Sequence, residues 1–367
     1  MNNPDHKSKK LKYLSEDAWR SYPEFDNHEF VMAVSEEESG LKAFIAIHNT
    51  NRGPALGGTR MKAYVSEASA VQDVLNLSRA MSYKCALANL PYGGGKAVIM
   101  GNNQLDRAQV LTAYARLVEK LRGLFKTGTD VGISDQDVMH MAAATSHMLG
   151  VVAGDRGDLN TSNVAALGVF HGIKAVVRQL NGSASLVGQT VAIKGIGKLG
   201  GELTRLVLEA GGKVVVSDVN PAACIAIEKL FPGLKIVDNK TIHQQEVDVY
   251  APCALGNEFN VTTIPQLRCK AIVGGANNQL ENTAAGDLLH KRNILYAPDY
   301  IANAGGLIYV ADELEDTGFN KQRVLLRTAG IEETLGLIFE ESKRQNLPSH
   351  IIADRLGLER MHEVVSA

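Results

Sequence analysis

TVAIKGIGKLGGELTRLVLEAGGKVVVSD, residues 190–218, is the stretch whose reading decides the fold. TVAIK (190–194) and KVVVSD (213–218) are short apolar runs rich in β-branched residues, the composition of buried strands. Between them Gly195-Ile196-Gly197-Lys198-Leu199-Gly200 opens a segment of helical spacing that runs from about Lys198 to Ala210. In a strand–turn–helix unit the first glycine allows the tight turn and the second lets the backbone approach a pyrophosphate. The third lets the helix pack closely on the strand. The helix N-terminus then turns unpaired N–H groups towards the phosphates. The second strand ends at Asp218, 23 residues beyond Gly195. An acid there accepts hydrogen bonds from a ribose hydroxyl and repels a 2′-phosphate, and residues 219–227 carry no charge to invite one. The residues therefore predict an NAD site, with Gly195, Gly197, Lys198, Leu199, Gly200, Asp218 and Val219 against the dinucleotide.

Outward from this unit the alternation continues. Short apolar runs follow at 247–251, 271–274 and 294–297, a helix precedes at about 165–180, and a long one is predicted over 320–346. Strand, helix and strand in that order imply a parallel sheet with crossover helices. Upstream, LKAFIAIH (41–48) and KAVIM (96–100) read as strands, and 71–81 has helical spacing. Val110, Leu111, Tyr114, Leu117, Val118 and Leu121 form the stripe of an amphipathic helix over 107–122. The fold class is α/β with two domains.

Composition narrows the function. The 367 residues carry a formal net charge of −2, which argues against bulk electrostatic capture of nucleic acid or anionic lipid. Aromatics are only 5%, too few for a base-stacking surface. No apolar run reaches the roughly 20 residues that cross a bilayer, and the basic start has no apolar core behind it, so neither a membrane span nor a secretory signal is expected. Cys85, Cys224, Cys253 and Cys269 are scattered, which fits reduced thiols in a cytoplasmic protein and no zinc site. The polar first dozen residues read as a solvated tail. His140 and His147 have no metal-ligand spacing, and no metal is expected.

Three glycine-rich clusters lie before residue 135: GPALGGTRM (53–61), MSYK with YGGGK (81–96), and TGTDVG (127–132). Burial lowers a lysine pKa, so a lysine among glycines at an apolar strand suits a general base. A second lysine kept charged suits a carboxylate, and a nearby Asp suits proton relay. Taken alone, each lysine reads as surface charge.

Together with GIGKLG, APCALG (251–256), GANNQL (275–280) and APDYIANAGGLIYVADE (297–313), these segments resemble the glutamate/leucine/phenylalanine/valine dehydrogenases, in order and over most of the chain from about residue 30. The resemblance implies an N-terminal substrate-binding and oligomerisation domain, 1–159, with the helices of 326–367 folding back onto it, and a Rossmann-like NAD domain, 160–325. It implies Lys96 as general base, Asp130 as its proton-handling partner, and Lys84 on the substrate α-carboxylate. Asn278 would approach the substrate; Asn277, Cys253 and Ala254 would border the cofactor. The reaction implied is reversible NAD-dependent oxidative deamination of a small-molecule L-amino acid in a homo-oligomer. The alternative is a catalytically idle NAD-binding regulator on the same fold, against which the retained Lys84, Lys96 and Asp130 count.

Leu56, Gly57, Gly128, Leu307 and Val310 match side-chain pocket positions. Glutamate-specific relatives carry a Lys where this chain has Leu56, so a buried glutamate carboxylate would lack its partner. An apolar substrate is expected. Gly128 and Leu307 tilt the expectation towards aromatic amino acids, on the argument that a missing methyl at 128 leaves room; branched-chain substrates stay open. The segment Asn160–Ala165 departs from the family pattern, with Ala165 where a Thr often contacts the nicotinamide amide.

Overall fold

The computed structural model describes residues 10–12, 19–102, 104–150 and 157–363. The chain divides into two units, Met1–Gly154 with Leu358–Ala367, and Asp155–Gly357.

In the first unit a mixed seven-stranded sheet forms from β1 (Lys10–Lys12), β2 (Phe30–Glu36), β3 (Leu41–Asn49), β4 (Ala55–Leu56), β5 (Thr59–Lys62), β6 (Gly93–Met100) and β7 (Phe125–Lys126). The order is β1-β2-β3-β6-β4-β7, with β5 also pairing β6. Helix α1 (Glu67–Leu87) packs on one face and α2 (Arg107–Lys120) on the other, so β3 and β6 are buried almost throughout. Ser66 and Ser69 close a capping box at the start of α1, and Asp106 caps α2. A short α3 (Asp135–Ala142) follows. Two expectations change here. The strand read at 96–100 begins three residues earlier, so its glycines lie inside β6. Lys10–Lys12 pair antiparallel with β2 instead of belonging to a solvated tail, while residues 1–9 lie outside the described residues.

In the second unit a six-stranded parallel sheet is built from β8 (Thr190–Lys194), β9 (Lys213–Ser217), β10 (Lys235–Ile236), β11 (Val247–Pro252), β12 (Cys269–Ile272) and β13 (Leu295–Tyr296). Its order, β10-β9-β8-β11-β12-β13, is the doubly wound dinucleotide-binding order, and its reversal falls between β8 and β11. The helices are α4 (Thr161–Asn181), α5 (Lys198–Glu209), α6 (Pro221–Leu230), α7 (Thr283–Lys291), α8 (Asp299–Ala302), α9 (Gly305–Ala311), α10 (Lys321–Gln345) and α11 (Ser349–His362). The 160–165 segment is the first turn of α4, capped by Asn160.

The grouping differs from the expected return of residues 326–367 to the N-terminal part. Helix α10 stays with the second unit because α4 carries glycines beneath it; a Cβ on Gly168 would stand 2.9 Å from Ile331. Only residues from 358 onward group with the first unit, where the Arg360 guanidinium donates to Leu87 O at 3.1 Å.

Close helix-on-strand packing sets the first unit. A Cβ on Gly94 would lie 2.1 Å from Ser82 N and 2.5 Å from Ser82 Cα, so α1 rests backbone to backbone on β6. Gly94→Ala should cost about 3 kcal/mol or more, since backbone and not a flexible side chain must move. Gly336→Ala, in α10 with open space around its Cβ position, should be neutral or stabilising. Thermal melts of the two variants check this; equal melting temperatures would remove the packing argument.

Candidate active site

In the first unit the candidate residues gather on the α1 face of β6. Gly94 and Lys96 alternate onto that face with Val98, which packs against α1. Gly94 meets Ser82 of α1 on this face, and Lys96 is 5% exposed. Burial pushes its amine below the ordinary lysine range, opposed by the carboxylate of Asp130, with which it forms an ion pair. Burial alone would raise the Asp130 carboxyl, but the Lys96 and Arg60 cations hold it down at about 2. The structure thus brings the expected base and its acidic partner together.

Asp130 Oδ1 accepts from Arg60 Nε at 2.9 Å and from Val131 N at 2.7 Å. Arg60 donates through its other end to both oxygens of Asp73, at 3.1 and 3.2 Å, and the Tyr64 hydroxyl donates to Asp73 Oδ2 at 2.7 Å. Sequence reasoning gave Arg60 and Asp73 no role. The available signal was Arg60 and Lys62 at strand period 2, facing the helix that carries Asp73.

Lys84 lies half-buried on the last turn of α1, one residue past Tyr83 and two past Ser82. On the buried side of the same turn Ser82 Oγ meets His48 Nδ1 at 2.8 Å. Burial and the neighbouring His28 push His48 down to about 4, so it adds no cation at neutral pH.

Leu56 sits beside Gly94 in strand register but is fully buried. Gly57 is needed for close approach, since a Cβ there would stand 1.9 Å from Gly95 O. The room expected at Gly128 is not open. A Cβ there would meet Leu149 Cβ at 3.1 Å, and Leu149 is tied down by its N–H on Thr127 O at 2.7 Å. The absent methyl lets Leu149 close in.

The second unit carries a nucleotide cradle. Gly195 has φ +91°, and a Cβ on it would lie 2.7 Å from Ala254 Cβ, so the loops after β8 and β11 touch where the strand order reverses. Gly200 packs on the turn, its Cβ position 1.9 Å from Gly195 O. Gly197, exposed, has open space at its Cβ position, and no side chain caps α5. Asp218 Oδ2 accepts Ile196 N–H at 2.8 Å and Oδ1 accepts Asn220 N–H at 2.8 Å. Each oxygen keeps a second lone pair for a ribose. Val219 is 81% exposed beside it, and Lys198 is exposed on the first turn of α5. An open glycine edge, an uncapped helix and an outward carboxylate fit a dinucleotide.

Leu199 turns to Gly275, 2.6 Å from its Cβ position, and is therefore a packing residue. Cys253 donates its N–H to Lys194 O at 2.8 Å, and burial pushes its thiol up to about 12. Ala254, Asn277 and Asn278 are exposed, and Asn278 holds φ +52°. Asn303, also missed from the sequence, donates to Asn277 Oδ1 at 2.9 Å and so orients that amide. Leu307 and Val310 are half-buried on α9, and Val310 packs against Val164, Tyr309 and Val324. Ala165 is buried, near Gly306. His140 meets Thr112 at 2.9 Å, whereas His147 approaches Glu119 at 3.8 Å. Among the described residues no cluster suits a metal ion, and no helix is long and apolar enough to cross a membrane.

Comparison with known proteins agrees with this geometry. Residues 27–147 match the family model described as Glu/Leu/Phe/Val dehydrogenase, dimerisation domain, and residues 221–345 match the model described as glutamate/leucine/phenylalanine/valine dehydrogenase. The chain is 44% identical over 339 residues to a phenylalanine dehydrogenase of Thermoactinomyces intermedius, covering 92% of each. It is 42% identical over 346 residues to a leucine dehydrogenase of Bacillus subtilis (strain 168), covering 94% of each. The crystal structure of L-tryptophan dehydrogenase from Nostoc punctiforme superposes with a TM-score of 0.83 at 41% identity, over 91% of this chain and 96% of that one. With both family models matched and relatives above 40% identity along nearly their whole length, the chain belongs to the glutamate/leucine/phenylalanine/valine dehydrogenase family of oxidoreductases.

Proposed function

We propose that the chain catalyses reversible oxidative deamination of an apolar L-amino acid to its 2-oxo acid and ammonia, with NAD as hydride acceptor. The observation that carries the reading is the buried Lys96–Asp130 pair on the glycine-packed face of β6. When bound, the nicotinamide takes a hydride from the substrate Cα. The carbon left behind is an iminium centre. Neutral Lys96 takes a proton from water as that water adds there. The Lys96 ammonium so formed returns its proton through Asp130 Oδ2 to the amine; Lys96 then takes the hydroxyl proton as the C=O bond forms, the C–N bond breaks and ammonia departs. Lys84, a cation on α1, suits the substrate carboxylate. The retained base and acid speak against an idle regulator.

Leu56 supports an apolar substrate by keeping that wall free of charge, as do the phenylalanine, leucine and tryptophan named for the relatives. Asp218 supports NAD over NADP. Self-association belongs to the same reading, supported by the dimerisation-domain description that residues 27–147 match.

Formation of NADH with a panel of L-amino acids tests the reading. Aromatic or branched-chain substrates should turn over, with glutamate at least about 100-fold poorer in kcat/KM. Lys96→Ala should lose at least about 100-fold in kcat. Turnover of none of the panel, or an unimpaired variant, would refute the mechanism. Asp218→Asn should raise NADP use relative to NAD by about tenfold; an unchanged ratio removes the cofactor argument. Gly128→Ala must push on Leu149, so it should lower kcat/KM for phenylalanine, tryptophan and leucine alike. A penalty of about tenfold confined to the aromatic substrates would restore the room expected at 128.

A further inference from the structure

Asp130 presents two unlike oxygens. Oδ1 is occupied twice, by Arg60 Nε and by the N–H of its own neighbour Val131. Oδ2 alone meets the Lys96 ammonium. A carboxylate free to rotate would exchange these oxygens; one gripped by two donors on the same oxygen does not. The guanidinium is itself gripped. It reaches Asp130 with Nε and both Asp73 oxygens with NH1, and Asp73 is held in turn by the Tyr64 hydroxyl and by Lys62 Nζ at 3.3 Å. Side chains of Arg60 and Asp130 are 18% and 17% exposed, so the bridge is largely out of water and weakly screened.

The backbone explains the placement. β5 runs parallel to β6 with Arg60 opposite Val98, two residues from Lys96 on the same face. Asp73 comes from α1, the helix pressed onto that face. Lys84, the other charged group on that helix side, lies 11 residues further along, about 16 Å away.

We propose that Arg60 is a positioning residue: clamped by Asp73, it holds Asp130 by Oδ1 so that Oδ2 alone handles protons beside Lys96. The inference rests on the deamination reading above. It also fixes an electrostatic sign. The Arg60 cation sits near the Lys96 ammonium and favours its loss of a proton, whereas Asp130 and Asp73 favour keeping it. Removing Arg60 therefore makes Lys96 hold its proton to higher pH.

The test uses the full-length protein with Arg60→Met and Arg60→Lys, the best amino acid of the panel, and NAD. Melting temperature and NADH binding by fluorescence report fold and cofactor site. In Arg60→Met kcat should fall about tenfold or more. The ascending limb of the kcat/KM pH profile should move to higher pH by about one unit. KM should change less than about threefold. Arg60→Lys restores the charge but not the fork, so its limb should move the same way by less. If the methionine variant fails to fold, the lysine variant decides. A limb that stays in place in every folded variant, whatever the fall in rate, overturns the positioning role, because lost packing lowers rate equally at all pH. Lys96→Ala separates the two failures. If it stays active, the deamination reading itself is wrong; if it is dead while the limbs do not move, only the role of Arg60 falls.

Discussion

The first unit is organised around drying one ammonium group while leaving one carboxylate beside it. Taking a charged amine out of water costs several kcal/mol, and pairing with a carboxylate in the same low-dielectric surroundings offsets much of that. The two terms are large and opposed, so small changes in the surroundings move the proton. Gly94 lies two residues before Lys96 in β6, against α1. A glycine inside a strand costs roughly 0.5–1 kcal/mol in chain entropy, and here it lets α1 lie on β6 with no side chain between them. The same contact seats Ser82 against the strand that carries Lys96.

The second unit was legible from its local grammar, because every part of the glycine-loop unit is short in sequence. The turn glycines, the helix behind them and the acid at the end of the next strand fall within one contiguous stretch, and each has its own stereochemical reason. The first unit was legible only in part. FVMAVSE forms β2 with little in its composition to separate it from other apolar runs, and β4 and β7 have two residues each, too few to show a period. Gly93–Gly95 fall outside the strand read at 96–100 because glycine is poor in strands; the contact that keeps them in β6 comes from a helix that begins 26 residues earlier. Gly128 failed for a similar reason. A missing methyl predicts space only if nothing else moves in, and what moves in is Leu149, 21 residues away and attached by a backbone bond that composition does not encode.

The residues that sequence reasoning passed over act through other residues. Arg60, Asp73 and Asn303 carry no chemistry expected of a base or a nucleotide contact; each orients a group that does. A motif search weights the reacting atom and is blind to its support. Charge pairing between a strand and the helix packed on it is a long-range property, and in one sequence only the strand period of Arg60 and Lys62 hints at it.

Asp130 and Asp218 show one solution used twice. Asp130 opens a turn and Asp218 directly follows β9, and each spends an oxygen on a backbone N–H of a segment that must not move: Val131 for Asp130, Ile196 for Asp218. A carboxylate has about four acceptor positions, so anchoring takes one or two and leaves the rest for the ligand or the proton. The anchor fixes direction at little electrostatic cost, because an amide N–H carries no net charge to neutralise the acid. At Asp130 a guanidinium is added to the amide, and the difference follows from the task. Asp218 has only to accept from a neutral hydroxyl and repel a phosphate, for which an ordinary carboxylate suffices. Asp130 has to stay ionised in a buried place beside a lysine that must give up its proton, and only a second cation, held by a second acid, keeps both conditions true at once.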